Sequence, residues 1–223
     1  MTEVITEMAQ AFRAGKSPKK IVAKNLMSML MFSKNVMQSM NSKEPYMQLP
    51  HFDSVTVGKI KNKLNNMSIL NYCKLDKEKR LEVVKHVFEG KGDVNYIADQ
   101  QEKCIDNLPV VEMKIEAKVE GEDEIVVGDI MSINLTIKYL KNQEGEKHGY
   151  VHSKNYPFLR RDNWYLVITD PTMTTFAAVE KLEIKGAEFT KTFKERISRP
   201  GPIQFLALLI NDSYKGLDQN AMV

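Results

Sequence analysis

The sequence has little of what most enzymes and metal proteins need. It holds two cysteines, Cys73 and Cys104, and no Cys-x-x-Cys, which excludes a zinc site or a disulfide scaffold. Two buried, reduced thiols are the expectation, in a cytosolic or nuclear compartment. No long hydrophobic run is present. The longest, around Leu26 to Phe32, falls far short of the roughly 20 residues of a membrane span, and Met1 to Gln10 is not a signal peptide. The chain is therefore expected to be soluble, whether complete or as the soluble piece of a larger membrane protein.

Catalytic motifs are equally scarce. There is no G-x-x-x-x-G-K, no G-x-G-x-x-G and no G-x-S-x-G. Of four histidines, His148 and His152 share a four-residue spacing, but Gly149 denies them a common helical face, and His51 follows Pro50 in a turn. Glu112, Glu116 and Glu120 alternate with lysines as a solvated face rather than a catalytic pair. These absences predict no catalytic site, metal, cofactor or small-molecule substrate. The net charge of +3 is too small to call for nucleic acid by itself.

What is present divides into two periodicities. Val4, Met8 and Phe12 lie at helical spacing, and Ser17-Pro18 offers a fresh helix start. The next helix carries Val22, Leu26, Met29, Leu30, Phe32, Val36, Met37 and Met40. That set is wide enough to predict burial on most sides, with Lys19, Lys20, Lys24 and Lys34 reaching outward. Asp53-Ser54 and Asp76 are expected caps of short helices, Gly90 and Gly92 a stop, and a last helix runs from Asp93 to about Asn107. Beyond Pro109 the period becomes two. Strands are predicted over Val111 to Val119, Met131 to Tyr139, Trp164 to Ile168, Phe176 to Ile184, Phe189 to Ile197 and Ile203 to Ile210. Turns fall at Gly121 to Asp123 and Asp170-Pro171, with a polar loop from Lys141 to Gly149. The predicted fold is α+β and multidomain. A helical bundle segment (1–52) and a small helix-hairpin-helix-like domain (53–107) precede a β-sandwich of the immunoglobulin or fibronectin type III kind (108–223).

Two basic patches are candidates for binding. Lys59, Lys61 and Lys63 sit where a helix-hairpin-helix would grip phosphate, but only Gly58 is near, without the hairpin glycines that expose amides. The second patch interleaves Lys154, Arg160 and Arg161 with Tyr156 and Phe158, a mixture suited to a protein hot spot or to base stacking. A third possibility is that the two aromatics tuck into the sandwich.

Three stretches carry a family resemblance: Tyr46-Met47-Gln48-Leu49-Pro50-His51-Phe52, the run from His152 to Asp170, and Asn211-Asp212-Ser213-Tyr214-Lys215-Gly216-Leu217-Asp218-Gln219. In this order they resemble the carboxy-terminal cytosolic domain of the Sec-sixty-three family, J-domain-containing accessory subunits of the endoplasmic reticulum protein translocon. The same cassette ends the large spliceosomal RNA helicase. Lys43 to Met47, and Trp164-Tyr165 in place of a Trp pair, depart from the family pattern without breaking the fold. The resemblance implies a non-catalytic scaffold at the cytosolic face of the endoplasmic reticulum membrane. Its partners would be the translocation channel and other accessory subunits, and membrane contact would come only through other parts of the full-length protein. No J-domain His-Pro-Asp occurs in the chain.

Overall fold

A computed structural model describes residues 22–40, 43–119, 126–140, 150–154, 156–184, 186–198 and 200–223, with Glu7, Gln10, Ala11, Ala14 and Lys16 ahead of them. Helix α1 (Ala23–Met37) is followed by a 3₁₀ turn (Pro45–Gln48) and by α2 (Ser54–Lys63), α3 (Ile69–Lys74), α4 (Lys77–Val87) and α5 (Val94–Asp106). Strands β1 (Val111–Val119), β2 (Ile130–Tyr139), β3 (Trp164–Thr169), β4 (Phe176–Leu182), β5 (Glu188–Arg196), β6 (Leu206–Asn211) and β7 (Gln219–Met222) complete it.

The short helices start where side-chain oxygens can satisfy their first amides. Asp53 accepts from Thr56 N at 2.8 Å and Asp76 from Lys79 N at 2.8 Å, while Asp93 caps both Asn95 and Tyr96. Ser68 caps α3, a separate short helix ahead of α4. Gly90 and Gly92, at φ +76° and +105°, let the chain reverse between α4 and α5. The Ser17-Pro18 start, the turn at Gly121 to Asp123 and the loop from Lys141 to Gly149 lie outside the described residues.

The strands form two antiparallel sheets, β1-β2-β5 and β4-β3-β6-β7. Their facing sides share one core through Ile133, Leu135 and Ile137 of β2 and Trp164, Leu166 and Ile168 of β3. This core continues into the helices through Tyr46, Phe52, Ile60, Tyr72, Val84 and Ile105. A second cluster covers the other face of the four-stranded sheet, where Ala23, Leu26 and Leu30 of α1 pack on Tyr165, Val167, Val179, Leu208 and Ile210. Strand β3 is thus buried on both faces, which is why Trp164 to Ile168 reads as an unbroken apolar run.

Two expectations for α1 are corrected. Met31, Phe32 and Val36 are about half exposed, so the helix is buried on one stripe only. Lys34 does not reach outward: it is buried in that stripe and paired with Asp218. A buried ammonium is tolerated there because a carboxylate of the β6–β7 corner meets it. Strand β7 was also not foreseen. Gln219-Asn220-Ala221-Met222 has neither alternation nor β-branched residues, and its place beside β6 is imposed by the corner before it.

Candidate docking surface

The corner from Asn211 to Gln219 joins several parts of the molecule. Asn211 Oδ1 accepts from the amides of Ser213 and Tyr214, both at 2.9 Å, and its Nδ2 donates to Asp162 at 2.7 Å. Asp212 is fully buried and accepts from Asn163 N (3.0 Å), Asn163 Nδ2 (2.8 Å), Ser213 Oγ (2.6 Å) and the Arg160 guanidinium. The buried Tyr214 hydroxyl accepts from His152 N at 2.7 Å. Gln48 of the 3₁₀ turn exchanges two hydrogen bonds with the Lys215 backbone, at 2.7 and 2.9 Å. Gly216 stands at φ +75°, and a Cβ there would lie 2.7 Å from Ile69 Cγ2 and 3.0 Å from Pro45 Cβ. Asp218 holds Lys34, and Gln219 bonds the rim of β1 at Met113 N and Val111 O. Helices, sandwich and the segment before β3 are therefore fastened at one place.

That segment is stapled at its base and projects at its tip. Val151 N donates to Arg160 O at 2.7 Å, closing a loop. Ser153 Oγ donates to Met37 O at 2.6 Å, and Gln38 Nε2 reaches both His152 O and Ser213 O, so the C-terminal end of α1 holds the loop as well. Phe158 and Leu159 at the tip are 72% and 79% exposed. Tyr156 is half-buried and meets Phe158 edge-on at 5.9 Å between centroids. A shallow groove of about 160 Å³ runs between loop and helix, lined by Met29, Phe32, Val36, Met37, Tyr156 and Arg160. Tyr156 lines this groove and meets Phe158, so the exposed stripe of α1 continues through Tyr156 to the loop tip, where Leu159 is exposed next to Phe158. Lys154 lies exposed beside it, and the Arg161 guanidinium sits 5.6 Å over the Tyr150 ring. Contiguous exposed apolar area of this kind marks interaction sites.

Burial sets the electrostatics beneath. It raises the Asp162 carboxyl to about 6, with the nearby Asp212 charge adding and the Asn211 hydrogen bond opposing. Burial also raises Asp218 and Tyr214 and lowers Lys215 and His152. Tyr214, Asp162 and Asp218 take part in the hydrogen bonds and ion pair that hold the corner. Among the described residues no cluster of three or more His, Cys, Asp or Glu side chains is arranged to hold a metal ion.

The family model of the Sec63 Brl domain matches residues 5–223. The chain belongs to that family. It is 29% identical over 133 residues to the DnaJ protein ERDJ2B of Arabidopsis thaliana, covering 59% of this chain and 19% of the relative. It is 30% identical over 128 residues to ERDJ2A of the same plant, covering 56% and 18%. To the U5 small nuclear ribonucleoprotein 200 kDa helicase of Drosophila melanogaster it is 26% identical over 185 residues, covering 82% and 8%. The chain thus spans less than a fifth of the length of each of these relatives.

In this Sec63 Brl domain the five residues singled out in sequence fall in one loop with different surroundings. Lys154, Phe158 and Arg161 are exposed, Tyr156 lies half under Phe158, and Arg160 turns inward to Asp212. Phe32 and Val36, which complete the surface, were read as core, because an apolar set that wide on a helix has two faces and sequence does not say which is covered. The other basic patch does not converge: Lys61 pairs with Glu44 at 2.5 Å, and Lys59 and Lys63 are exposed on α2. Cys73 and Cys104 are both buried thiols, and burial pushes Cys104 up to about 12. No helix among the described residues is long and apolar enough to cross a membrane.

Proposed function

We propose that this Sec63 Brl domain is a non-catalytic docking module. It holds an endoplasmic reticulum translocon accessory subunit against the cytosolic side of the protein translocation channel and supports the other accessory subunits there. The observation that carries the reading is the apolar surface of Phe32, Val36, Phe158 and Leu159, rimmed by Lys154 and Arg161, on a loop stapled to a rigid corner. A loop ordered before contact loses little freedom on docking, so its exposed aromatic and aliphatic groups can contribute most of their burial to affinity. Similarity to two DnaJ proteins supports the translocon branch.

A second reading has its own support, because the helicase relative aligns over more of the chain than either DnaJ protein. There the same surface would seat a neighbouring spliceosomal protein. Site-specific photocrosslinking separates the two. A photoreactive side chain at Leu159 should crosslink to the channel in cells, whereas one at exposed Glu89, on the α4–α5 hairpin, should not. Crosslinks from Leu159 to spliceosomal proteins alone would favour the helicase branch, and equal crosslinking from both positions would contradict the docking surface.

A further inference from the structure

Strand β1 has β2 as its only strand neighbour among the described residues, so its other rim is an edge. The register fixes which backbone groups line that rim. Leu140 N donates to Val110 O on the β2 side, and Gln219 reaches Val111 O and Met113 N on the opposite side. The amides and carbonyls of the odd-numbered residues therefore point outward. Gln219 satisfies the first two of these groups with its side-chain amide, standing in for a strand at that end. Among the described residues no hydrogen bond reaches the outward groups of Ile115 and Ala117.

The side chains of the same strand are antisymmetric in charge about Ile115. Val111-Glu112-Met113-Lys114-Ile115-Glu116-Ala117-Lys118-Val119 has its apolar residues facing the core and its charges facing solvent. When a second β1 lies antiparallel beside it with Ile115 opposite Ile115, Glu112 faces Lys118 and Lys114 faces Glu116. The second half of the pairing repeats the first, as an isologous contact requires. Apolar residues fall opposite apolar residues, Met113 on Ala117 and Val111 on Val119. In this register the odd residues form the hydrogen-bonded pairs: Ile115 can pair as it stands, and Val111 and Met113 pair once the Gln219 side chain turns off the rim. The charged residues form the non-hydrogen-bonded pairs, whose side chains lie closest. Lys114 and Glu116 already form an ion pair within one chain at 2.7 Å, and pairing would exchange this contact for its equivalent across the axis.

We propose that the β1 edge is a homotypic interaction surface, which takes the β1 edge of a second copy of this chain and extends the three-stranded sheet across a twofold axis. Edge charges usually discourage pairing because any register places some like charges together. Here the alternation of sign makes the Ile115-centred register attractive at every polar pair, a two-residue slip repulsive and a four-residue slip poorer in attractive pairs, so the charges favour both the partner and the register. The surface lies on a different sheet from the α1 groove, whose helix packs on the four-stranded sheet, so it is independent of the docking function above.

Sedimentation of the purified chain over about 1 μM to 1 mM tests this directly. The parent should dimerise with rising concentration, and less so in high salt. The double variants Lys114→Glu/Lys118→Glu and Glu112→Lys/Glu116→Lys change only exposed side chains. Each should stay folded by circular dichroism and lose about tenfold or more in self-association, since like charges then face each other at every polar pair. Mixing the two variants in equal amounts should restore a dimer. A parent that is monomeric throughout, or variants that fail to associate on mixing while remaining folded, would overturn the proposal.

Discussion

At the scale of single residues, the polar side chains of the Asn211 to Gln219 corner carried part of the family resemblance, but their partners were not legible in sequence. Asp162 illustrates why. In sequence it follows a basic pair; in the fold it is an acid buried against Asn211 and close to Asp212. Burial raises its folded pKa to about 6 from 3.8, so its stabilising contribution is present below about pH 4 and is lost as pH rises through about 6. Asp162→Asn removes the charge and keeps an oxygen to accept from Asn211. The variant should match the parent near pH 4. By about pH 7.5 it should be more stable, by up to about 3 kcal/mol for a shift of this size. Chemical denaturation of both proteins across this range checks it, and parallel curves would contradict it. Arg160 carries a related lesson: adjacent to Arg161 in sequence, it is committed to Asp212, so a joint substitution of the two arginines would disturb fold and surface together.

At the scale of elements, helix caps and alternating strands were legible because each depends on near neighbours. Asp53, Asp76 and Asp93 cap the helices they precede, and β1 and β2 alternate as periodicity demands. What one face of α1 meets is a tertiary fact, and so the buried Lys34 and the exposed Phe32 and Val36 were not legible. Lys34→Met would leave Asp218 half-buried without its cation; because Asp218 retains some solvent and the Asn211 amide, a loss of about 2 kcal/mol is expected in thermal or urea denaturation. The joint between corner and helices is tighter at Gly216. Gly216→Ala combines a left-handed backbone with a Cβ pressed against Ile69 and Pro45, and should cost about 2–4 kcal/mol. Gly90→Ala has a similar φ but open space, and should cost only about 1–2 kcal/mol. Equal losses at the two glycines would show that the corner does not pack against the helices as described.

At the scale of the whole molecule, two sheets, a helical layer and a loop are fastened at one corner, and the fastening gives an exposed apolar tip a fixed position. One of the three stretches that carry the family resemblance is thus the joint, while the proposed docking surface is assembled from α1 and a loop more than a hundred residues apart. The direct test is a binding titration of the translocation channel with the parent and with Phe158→Ser/Leu159→Ser, both checked by thermal melt. The two exposed side chains contribute little to the fold, so the melts should coincide, while loss of hot-spot contacts of about 1–2 kcal/mol each should weaken binding by about tenfold or more. A variant that melts like the parent and binds the channel equally well would contradict the account.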